Sequence, residues 1–172
     1  MNGGLFMEDF CKAEYHIPNT DITIEFSRWK KPYSFIQSSQ YECHIKFTNF
    51  TGQILIDIPC NEKYLVDLMQ SLYDWDSFSG QYQFGILLNS ISNNISYQIQ
   101  LAVTDNFIMS PTEEEEYNLL ILESSVYGTA TRLSTKVLYS DLVEIIDQIY
   151  MVLADIPYIE DLATSDIFLS YR

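Results

Sequence analysis

Residues 41–72, YECHIKFTNFTGQILIDIPCNEKYLVDLMQSL, change from a period of two to a helical period within one continuous stretch. In the first part, apolar residues occupy every second position, which is typical of strands with one buried face. The alternating residues are Tyr41, Cys43, Ile45, Phe47, Ile54, Ile56 and Ile58. Asn49 to Gly52 interrupt them with turn-forming residues, so the stretch predicts two antiparallel strands joined by a hairpin.

A helix is predicted to follow these strands directly. Asn61 is a favourable N-cap residue, and Glu62 places an acid in the first turn, near the positive end of the helix dipole. Apolar residues then recur at i, i+3, i+4 and i+7 spacing, at Leu65, Leu68, Met69 and Leu72. Because a single apolar stripe has to be covered, we expect this helix to lie across the sheet.

Further strands and a second helix are predicted on both sides of this stretch. Residues 20–30 alternate as a preceding strand, and residues 82–103 predict a hairpin around a loop at 89–94. Two more strands are expected in residues 117–124 and 128–139. Residues 139–157 then predict a helix that is capped by Ser140, ends at Pro157 and buries a stripe formed by Leu142, Ile145, Ile146, Ile149, Val152 and Leu153.

These patterns predict an α+β protein, in which an antiparallel sheet of about six to eight strands packs against two helices. The length of 172 residues suits one domain with one core. We expect an irregular start at residues 1–19, the α+β core at residues 20–153 and a tail at residues 158–172 without a clear periodicity.

The charge of the chain limits the partners that it can bind. It has 24 acidic and 9 basic residues, a formal net charge of -15, and from Asp105 to Arg172 13 acids face three bases. Such a field repels phosphate backbones, so direct binding to nucleic acid or to an anionic membrane is disfavoured, and a basic protein is the natural partner. An alternative is that the acidic surface serves solubility alone.

The expected location is the cytoplasm. Glu8 and Asp9 come before any basic or apolar stretch of signal-peptide type has formed, and no window approaches the roughly 18 apolar residues of a membrane-spanning helix. The three cysteines, Cys11, Cys43 and Cys60, are widely spaced, which favours reduced thiols over a disulfide framework.

Four consecutive glutamates, Glu113, Glu114, Glu115 and Glu116, follow Ser110-Pro111-Thr112. Ser110 and Glu113 have the spacing of a capping box, so the run has one interpretation as a helical turn or solvated loop before a strand. A second interpretation is that it belongs to a partner-binding surface. A metal site or acid–base pair is disfavoured, because adjacent glutamates point in different directions and the spaced ligands of a calcium loop are missing.

No catalytic, cofactor-binding or metal-binding motif is present, so we predict a protein that is not an enzyme and has no cofactor or metal. His16 and His44 lack the spacing of a zinc site, and Cys11 with His16 lacks a third residue to orient a nucleophile and base. The cluster from Arg28 to Lys31, RWKK, could stack a nucleic-acid base. Its alternative role is an ion-pair patch or a charged strand end.

The end of the first helix carries a family resemblance. In SLYDWDSFSGQYQF, residues 71–84, Trp75 lies between Asp74 and Asp76, and a glycine, a strand, a hairpin, two further strands and a C-terminal helix follow. This order resembles the WapI-like immunity proteins of bacterial polymorphic-toxin systems over roughly residues 20 to 153. Members of that family are small acidic cytoplasmic proteins that bind and neutralise a cognate toxin domain, often a nuclease.

The resemblance implies an immunity protein that inhibits a basic toxin domain stoichiometrically. Our candidates for the partner-binding face are Asp74, Trp75, Asp76, Glu113, Glu114, Glu115 and Glu116. Trp75 has an alternative role as a core anchor at the helix end. Two other functions stay open, namely a phage or mobile-element anti-defence protein that mimics nucleic acid, and an enzyme whose site combines scattered acids.

Overall fold

The computed structural model describes residues 10–31, 40–77, 87–92, 95–103, 118–126, 129–163 and 167. These residues form two four-stranded antiparallel sheets and three helices. The first sheet has the order β1 (Phe10–His16), β2 (Thr23–Lys30), β3 (Tyr41–Thr48) and β4 (Ile54–Cys60). The second has the order β5 (Leu87–Ser92), β6 (Ile95–Val103), β7 (Asn118–Val126) and β8 (Thr129–Val137). The helices are α1 (Glu62–Ser77), α2 (Tyr139–Leu153) and α3 (Ile159–Leu162).

The α+β class and the antiparallel pairing are therefore confirmed, but the expected size of the sheet is not. Each sheet has four strands, fewer than the six to eight predicted for one sheet. Alternation along a strand shows which side chains share a face, whereas membership of one sheet or another depends on contacts between distant strands. The sequence pattern carries no information about the second point.

Part of the segment that was expected to be irregular forms strand β1. Ala13 of this strand is buried, and Cys11 and Tyr15 pack against the core, whereas Lys12 and Glu14 are exposed. The alternation was present in the sequence, but small and polar residues weaken it compared with the isoleucine-rich strands. At the other end of the chain, the unassigned tail contributes the short helix α3 and the buried side chain of Ile167.

The core lies between one face of the first sheet and the helices α1 and α2. The predicted stripes of both helices are buried, as are the predicted inward positions of β2 and β3. We call this side the inner face of the first sheet and the opposite side its outer face. A small apolar cavity remains where Phe26 and Ile45 of the sheet meet Leu68 of α1 and Leu142 of α2.

The hairpin between β3 and β4 is confirmed, and its details correct one predicted core residue. Asn49 closes the loop by accepting hydrogen bonds on Oδ1 from the amides of Thr51 and Gln53, each at 3.0 Å, while Gly52 has a φ of 84°. A register shift between Phe47 and Thr48 pairs Thr48 with Ile54. The prediction that Ile54 faces the core is therefore wrong, because the register shift breaks the alternation of β4 between Ile54 and Ile56.

The helix starts agree with the sequence in one case and differ in the other. Asn61 caps α1, because its Oδ1 accepts a hydrogen bond from the Tyr64 amide at 2.9 Å. In α2 the predicted cap Ser140 lies inside the helix, and the cap position is Leu138. The Leu138 side chain cannot cap the helix. Instead, Asp141 Oδ2 accepts a hydrogen bond from the Leu138 amide at 2.7 Å, which is the carboxylate half of a capping box. The helix ends at Leu153, before Pro157.

The predicted hairpin at residues 82–103 is present as β5 and β6, but its loop is shorter than the composition indicated. Asn89 to Ser92 belong to β5 and pair with β6. The residues after the four glutamates form strand β7, which favours the strand over the longer helix for this stretch. At the end of β8, Val137 is buried in the core, so this strand leads directly into α2.

Two isoleucines of β4 provide a test of the hairpin register. Ile56 is 4% exposed and Ile54 is 53% exposed. We expect Ile56→Ala to lower the free energy of unfolding by about 3 kcal/mol, because it leaves a cavity in the core. Ile54→Ala should change it by less than about 0.5 kcal/mol. Urea unfolding measures both values, and equal losses would contradict the shifted register.

Candidate partner-binding surface

Of the residues predicted to bind a partner, the structure describes the side chain of Asp74. It is exposed near the end of α1 and accepts a hydrogen bond from Gln70 Nε2 at 2.9 Å. Trp75 and Asp76 belong to the same helix by their backbone, but their side chains lie outside the described part of the structure. The run of glutamates at residues 113–116 also lies outside the described residues.

The described helices carry an acidic surface that the sequence reasoning did not single out. In residues 61–74 and 138–163 there are nine acids and one base, Lys63. Two of the acids are buried, and seven are exposed or half-buried. We call these seven residues the acidic helical surface, namely Asp67, Asp74, Glu144, Asp147, Asp155, Glu160 and Asp161.

The two buried acids have structural roles. Glu62 accepts a hydrogen bond from the Tyr41 amide at 2.9 Å and another from the Tyr158 hydroxyl at 3.0 Å. Asp141 accepts from the Tyr15 hydroxyl at 2.5 Å, in addition to the Leu138 amide. Burial raises the pKa of Tyr158 and of Tyr15 above the usual value, and the neighbouring carboxylates raise it further. Both phenols therefore remain protonated donors.

An exposed apolar residue lies within the acidic helical surface. Met151 is 59% exposed, and Val143 on the same helix is also exposed. Glu144, Asp147 and Met151 follow one another at spacings of three and four residues, which places them on one face of α2. Flexible methionine side chains adapt to different surfaces, and they recur at binding sites. This face thus combines an apolar centre with surrounding carboxylates.

A buried ion pair anchors one member of this surface. Arg28 is 2% exposed, and its Nη2 donates to Asp155 Oδ1 at 2.5 Å, while its guanidinium lies 4.8 Å from the centre of the Tyr41 ring. Asp155 itself is exposed on its other side. Arg28, Trp29, Lys30 and Lys31 are consecutive and form one basic cluster in the sequence. In the structure, alternation along β2 places Arg28 on the inner face and Trp29 on the outer face.

Removal of the exposed partner tests the importance of this pair. We expect Asp155→Asn to destabilise the protein by about 2 kcal/mol, since the Arg28 charge would stay buried without its counterion; the exposure of Asp155 keeps the loss below that of a fully buried pair. Asp161→Asn is the matched control and should change little. Equal midpoints for both variants in urea would show that Arg28 does not depend on Asp155.

The negative charge is unevenly distributed between the sheet and the rest of the chain. Residues 10–60, which contain the whole first sheet, have five acids and five bases and are neutral overall. The acids are Glu14, Asp21, Glu25, Glu42 and Asp57, and the bases are Lys12, Arg28, Lys30, Lys31 and Lys46. The entire net charge of -15 therefore belongs to residues 1–9 and 61–172.

The described residues do not assemble the catalytic pairs that the sequence raised. Cys11 and His16 alternate to opposite faces of β1, so they cannot act as nucleophile and base. His44 lies on the outer face as predicted but is half-buried, with Nδ1 at 2.7 Å from Asp57 and Nε2 at 3.2 Å from Glu42. Among the described residues no group of three or more potential ligands could hold a metal ion.

The buried Cys43 and the half-buried Cys60 are also poor nucleophiles. Cys43 and Cys60 are directly opposite each other on β3 and β4, and both are free. Burial raises the pKa of the Cys43 thiol to about 12, and burial followed by the neighbouring Cys43 raises that of Cys60 well above its usual value. Since the thiolate is the reactive form, these two cysteines have a packing role.

Thiol labelling tests this interpretation. In a Cys11→Ser/Cys60→Ser variant, Cys43 should react with a thiol reagent at pH 8 on the order of a hundredfold more slowly than an unfolded-state thiol, because it is both buried and protonated. A Cys43→Ser/Cys60→Ser variant retains the half-buried Cys11 and is the control. Reaction of Cys43 as fast as Cys11 would contradict a packing role.

Comparison of the sequence with protein-family models and with curated proteins gave no match. The resemblance to WapI-like immunity proteins thus depends on the order of the elements and on the Asp74-Trp75-Asp76 corner. Within the described residues, every helix falls short of the length and apolar character needed to cross a membrane.

Helical periodicity in the sequence indicates part of the acidic helical surface, whereas a search for consecutive acidic residues does not find it. Once the stripe of α2 is assigned to the core, Glu144, Asp147 and Met151 have to lie on the opposite side. The exposure of Glu160 and Asp161 could not be inferred in this way, because the tail lacks a recognisable period. Asp155 depends on the ion pair with Arg28, which joins positions 127 residues apart.

Proposed function

We propose that this protein binds a basic protein partner and inhibits it stoichiometrically, in the manner of an immunity protein for a toxin domain. The observation that carries the proposal is the acidic helical surface, which has seven exposed or half-buried carboxylates in segments with a single lysine, and in which Met151 is exposed on the same face of α2 as Glu144 and Asp147. The first sheet is neutral by contrast.

Electrostatics supply the first step of the proposed interaction. Carboxylates grouped on one side of a protein attract a cationic surface over about one Debye length, roughly 8 Å at physiological salt, and accelerate encounter. The substrate groove of a nuclease is basic, because it has to hold a polyanion. A toxin domain of this kind offers the complementary charge, and an inhibitor seated over its groove would exclude the substrate.

Short-range packing supplies the second step. Charged residues at the rim of an interface mostly affect the association rate, whereas buried apolar anchors determine how long the complex lasts. Met151 and Val143 are in a position to act as such anchors on α2. Asp74 extends the same acidic side along α1, and Trp75 and Asp76, the other residues of this helix that the resemblance assigns to the partner-binding face, follow it directly in the chain.

The proposal places the protein in the cytoplasm and assigns it neither catalysis nor a cofactor. It is supported by the small α+β fold, the acidic composition and the element order shared with WapI-like immunity proteins. The identity of the partner can be established by affinity capture from the native host, with washes at low and then at higher salt. A basic toxin-like protein that elutes as the salt rises would support the proposal.

Other outcomes of this capture are equally informative. Recovery of a DNA-handling enzyme would favour the anti-defence role over the immunity role, since both use the same charge. A partner that remains bound at high salt and associates at a salt-independent rate would contradict electrostatic steering. Failure to recover any specific partner under either wash would count against an inhibitory role.

Two variants separate the two steps of binding. With the captured partner, Glu144→Lys/Asp147→Lys should slow association at low salt by roughly tenfold and affect dissociation less, because it reverses two steering charges. Met151→Ala should accelerate dissociation by roughly tenfold through loss of the anchor. Stopped-flow and surface-binding kinetics measure these rates.

The matched controls carry the same chemical changes elsewhere. Glu14→Lys/Asp21→Lys reverses two exposed charges, in β1 and in the turn that follows it, and Phe50→Ala removes the exposed aromatic side chain of the β3–β4 loop. Both should leave the kinetics within about twofold of the original values. If the controls affect binding as much as the helix variants, the partner binds the first sheet instead.

A further inference from the structure

The outer face of the first sheet carries a row of three rings. Phe10 and Trp29 are directly opposite each other on β1 and β2, with ring centres 4.8 Å apart, and His44 of β3 meets the edge of Trp29 at 5.4 Å. Ser27 lies directly opposite His44 and is fully buried although it faces outward. We infer that the indole lies over Ser27, whose small side chain leaves room for the ring.

Trp29 also borders a depression at this end of the sheet. The depression has a volume of about 400 Å³ and is lined by Trp29, Lys30, Lys31, Glu42 and His44. This volume lies within the range of sites that bind small molecules. Trp29 is 37% exposed, although tryptophan side chains are on average highly buried in folded proteins.

The charges around the depression favour an anion. Lys30 and Lys31 are among the residues that line the depression, and the Lys46 ammonium lies 5.6 Å from the centre of the Trp29 ring. Glu42, which also lines the depression, and Asp57 contact the two ring nitrogens of His44, while Glu25, directly opposite Lys46, lies 3.9 Å from Lys12 Nζ. Two lysines thus line the depression and a third lies near the indole, in a protein that is otherwise strongly acidic.

We propose that this depression is a binding site for a free mononucleotide. An indole ring is a surface on which a planar base stacks, and such contacts contribute roughly 1–3 kcal/mol each. Lysine ammonium groups bind phosphate as point charges. A ligand with a flat ring next to a phosphate group matches both features at once, whereas inorganic phosphate or a nucleoside matches only one.

The size of the ligand follows from the charge of the whole protein. A nucleic-acid strand would bring many phosphates close to the acidic remainder of the chain, and each would be repelled. A mononucleotide carries one phosphate group, which lies within about one Debye length of Lys30 and Lys31 and is governed by them. The net negative charge of the protein therefore disfavours binding of a nucleic-acid strand but still allows a mononucleotide to bind.

This site does not depend on the proposed inhibitory function. It lies on the outer face of the first sheet, whereas the acidic helical surface belongs to the helices that cover the inner face. Binding of a nucleotide and capture of a basic protein can accordingly succeed or fail separately.

The first experiment measures binding of four probes to the intact protein by calorimetry at low salt. Adenosine monophosphate should bind at least tenfold more tightly than adenosine or inorganic phosphate, and a twelve-residue single-stranded oligonucleotide should bind more weakly per site. Absence of measurable binding by the mononucleotide would overturn the proposal. Equal affinity for inorganic phosphate would overturn the nucleotide assignment, and so would tighter binding of the oligonucleotide.

Variants then test the location of the site. Lys30→Gln/Lys31→Gln and, separately, Trp29→Leu should each weaken mononucleotide binding by roughly tenfold or more, through loss of charge and of stacking respectively. Lys63→Gln/Lys136→Gln removes the same charge from lysines of α1 and β8 and should have less than a threefold effect. Circular dichroism and urea midpoints identify variants that fail to fold, and Trp29→Phe, which retains a ring, should then recover part of the affinity. Equal weakening by both lysine pairs would overturn the location.

Discussion

Arg28 carries a positive charge into the interior, where Asp155 and the ring of Tyr41 surround it. An ionised group in a protein interior is tolerated only with a partner close by, because the loss of its hydration is otherwise too costly. Asp155 supplies that partner from the turn after α2, and this requirement holds the end of α2 against the centre of the first sheet.

The same region contains a second buried charge of opposite sign. Glu62, at the start of α1, holds the amide of Tyr41 and the hydroxyl of Tyr158. Tyr158 lies three residues after Asp155, so the contacts form a closed ring from Asp155 through Arg28, Tyr41 and Glu62 to Tyr158. Two strands, the start of α1 and the segment that precedes α3 are thereby linked, and the apolar stripes of α1 and α2 are aligned on the inner face.

This arrangement has consequences for where charge can lie on the surface. Because the two helices turn their apolar stripes toward the sheet, Asp67 and Asp74 of α1 and Glu144 and Asp147 of α2 are directed away from it, and Met151 is exposed on the same face of α2. On the first sheet, Lys12 and Lys46 lie on the outer face with Trp29. The protein thus presents two chemically different sides, an acidic one formed by the helices and a neutral one formed by the first sheet.

Much of the fold followed from local periodicity. The strands with isoleucine and phenylalanine at alternate positions, the Asn49–Gly52 hairpin, the Asn61 cap and both buried stripes were read correctly, because each depends on neighbours within a few residues. Strand β1 was not predicted, because its alternation is weak. Ile54 was predicted to face the core, but a local irregularity of the register places it on the exposed side. For the candidate site, Asp74 was the one predicted residue with a described side chain, and the acidic face of α2 was overlooked because its acids are spaced rather than consecutive.

From the sequence alone came the α+β class, the antiparallel hairpins, the buried faces and the excess of acid, since all of these depend on composition or on contacts close in the chain. The division of the strands into two sheets, the pairing of Arg28 with Asp155 and the row formed by Phe10, Trp29 and His44 became visible only in three dimensions. Each depends on residues that lie far apart in the chain, and their proximity is set by the packing of the whole core rather than by any local pattern.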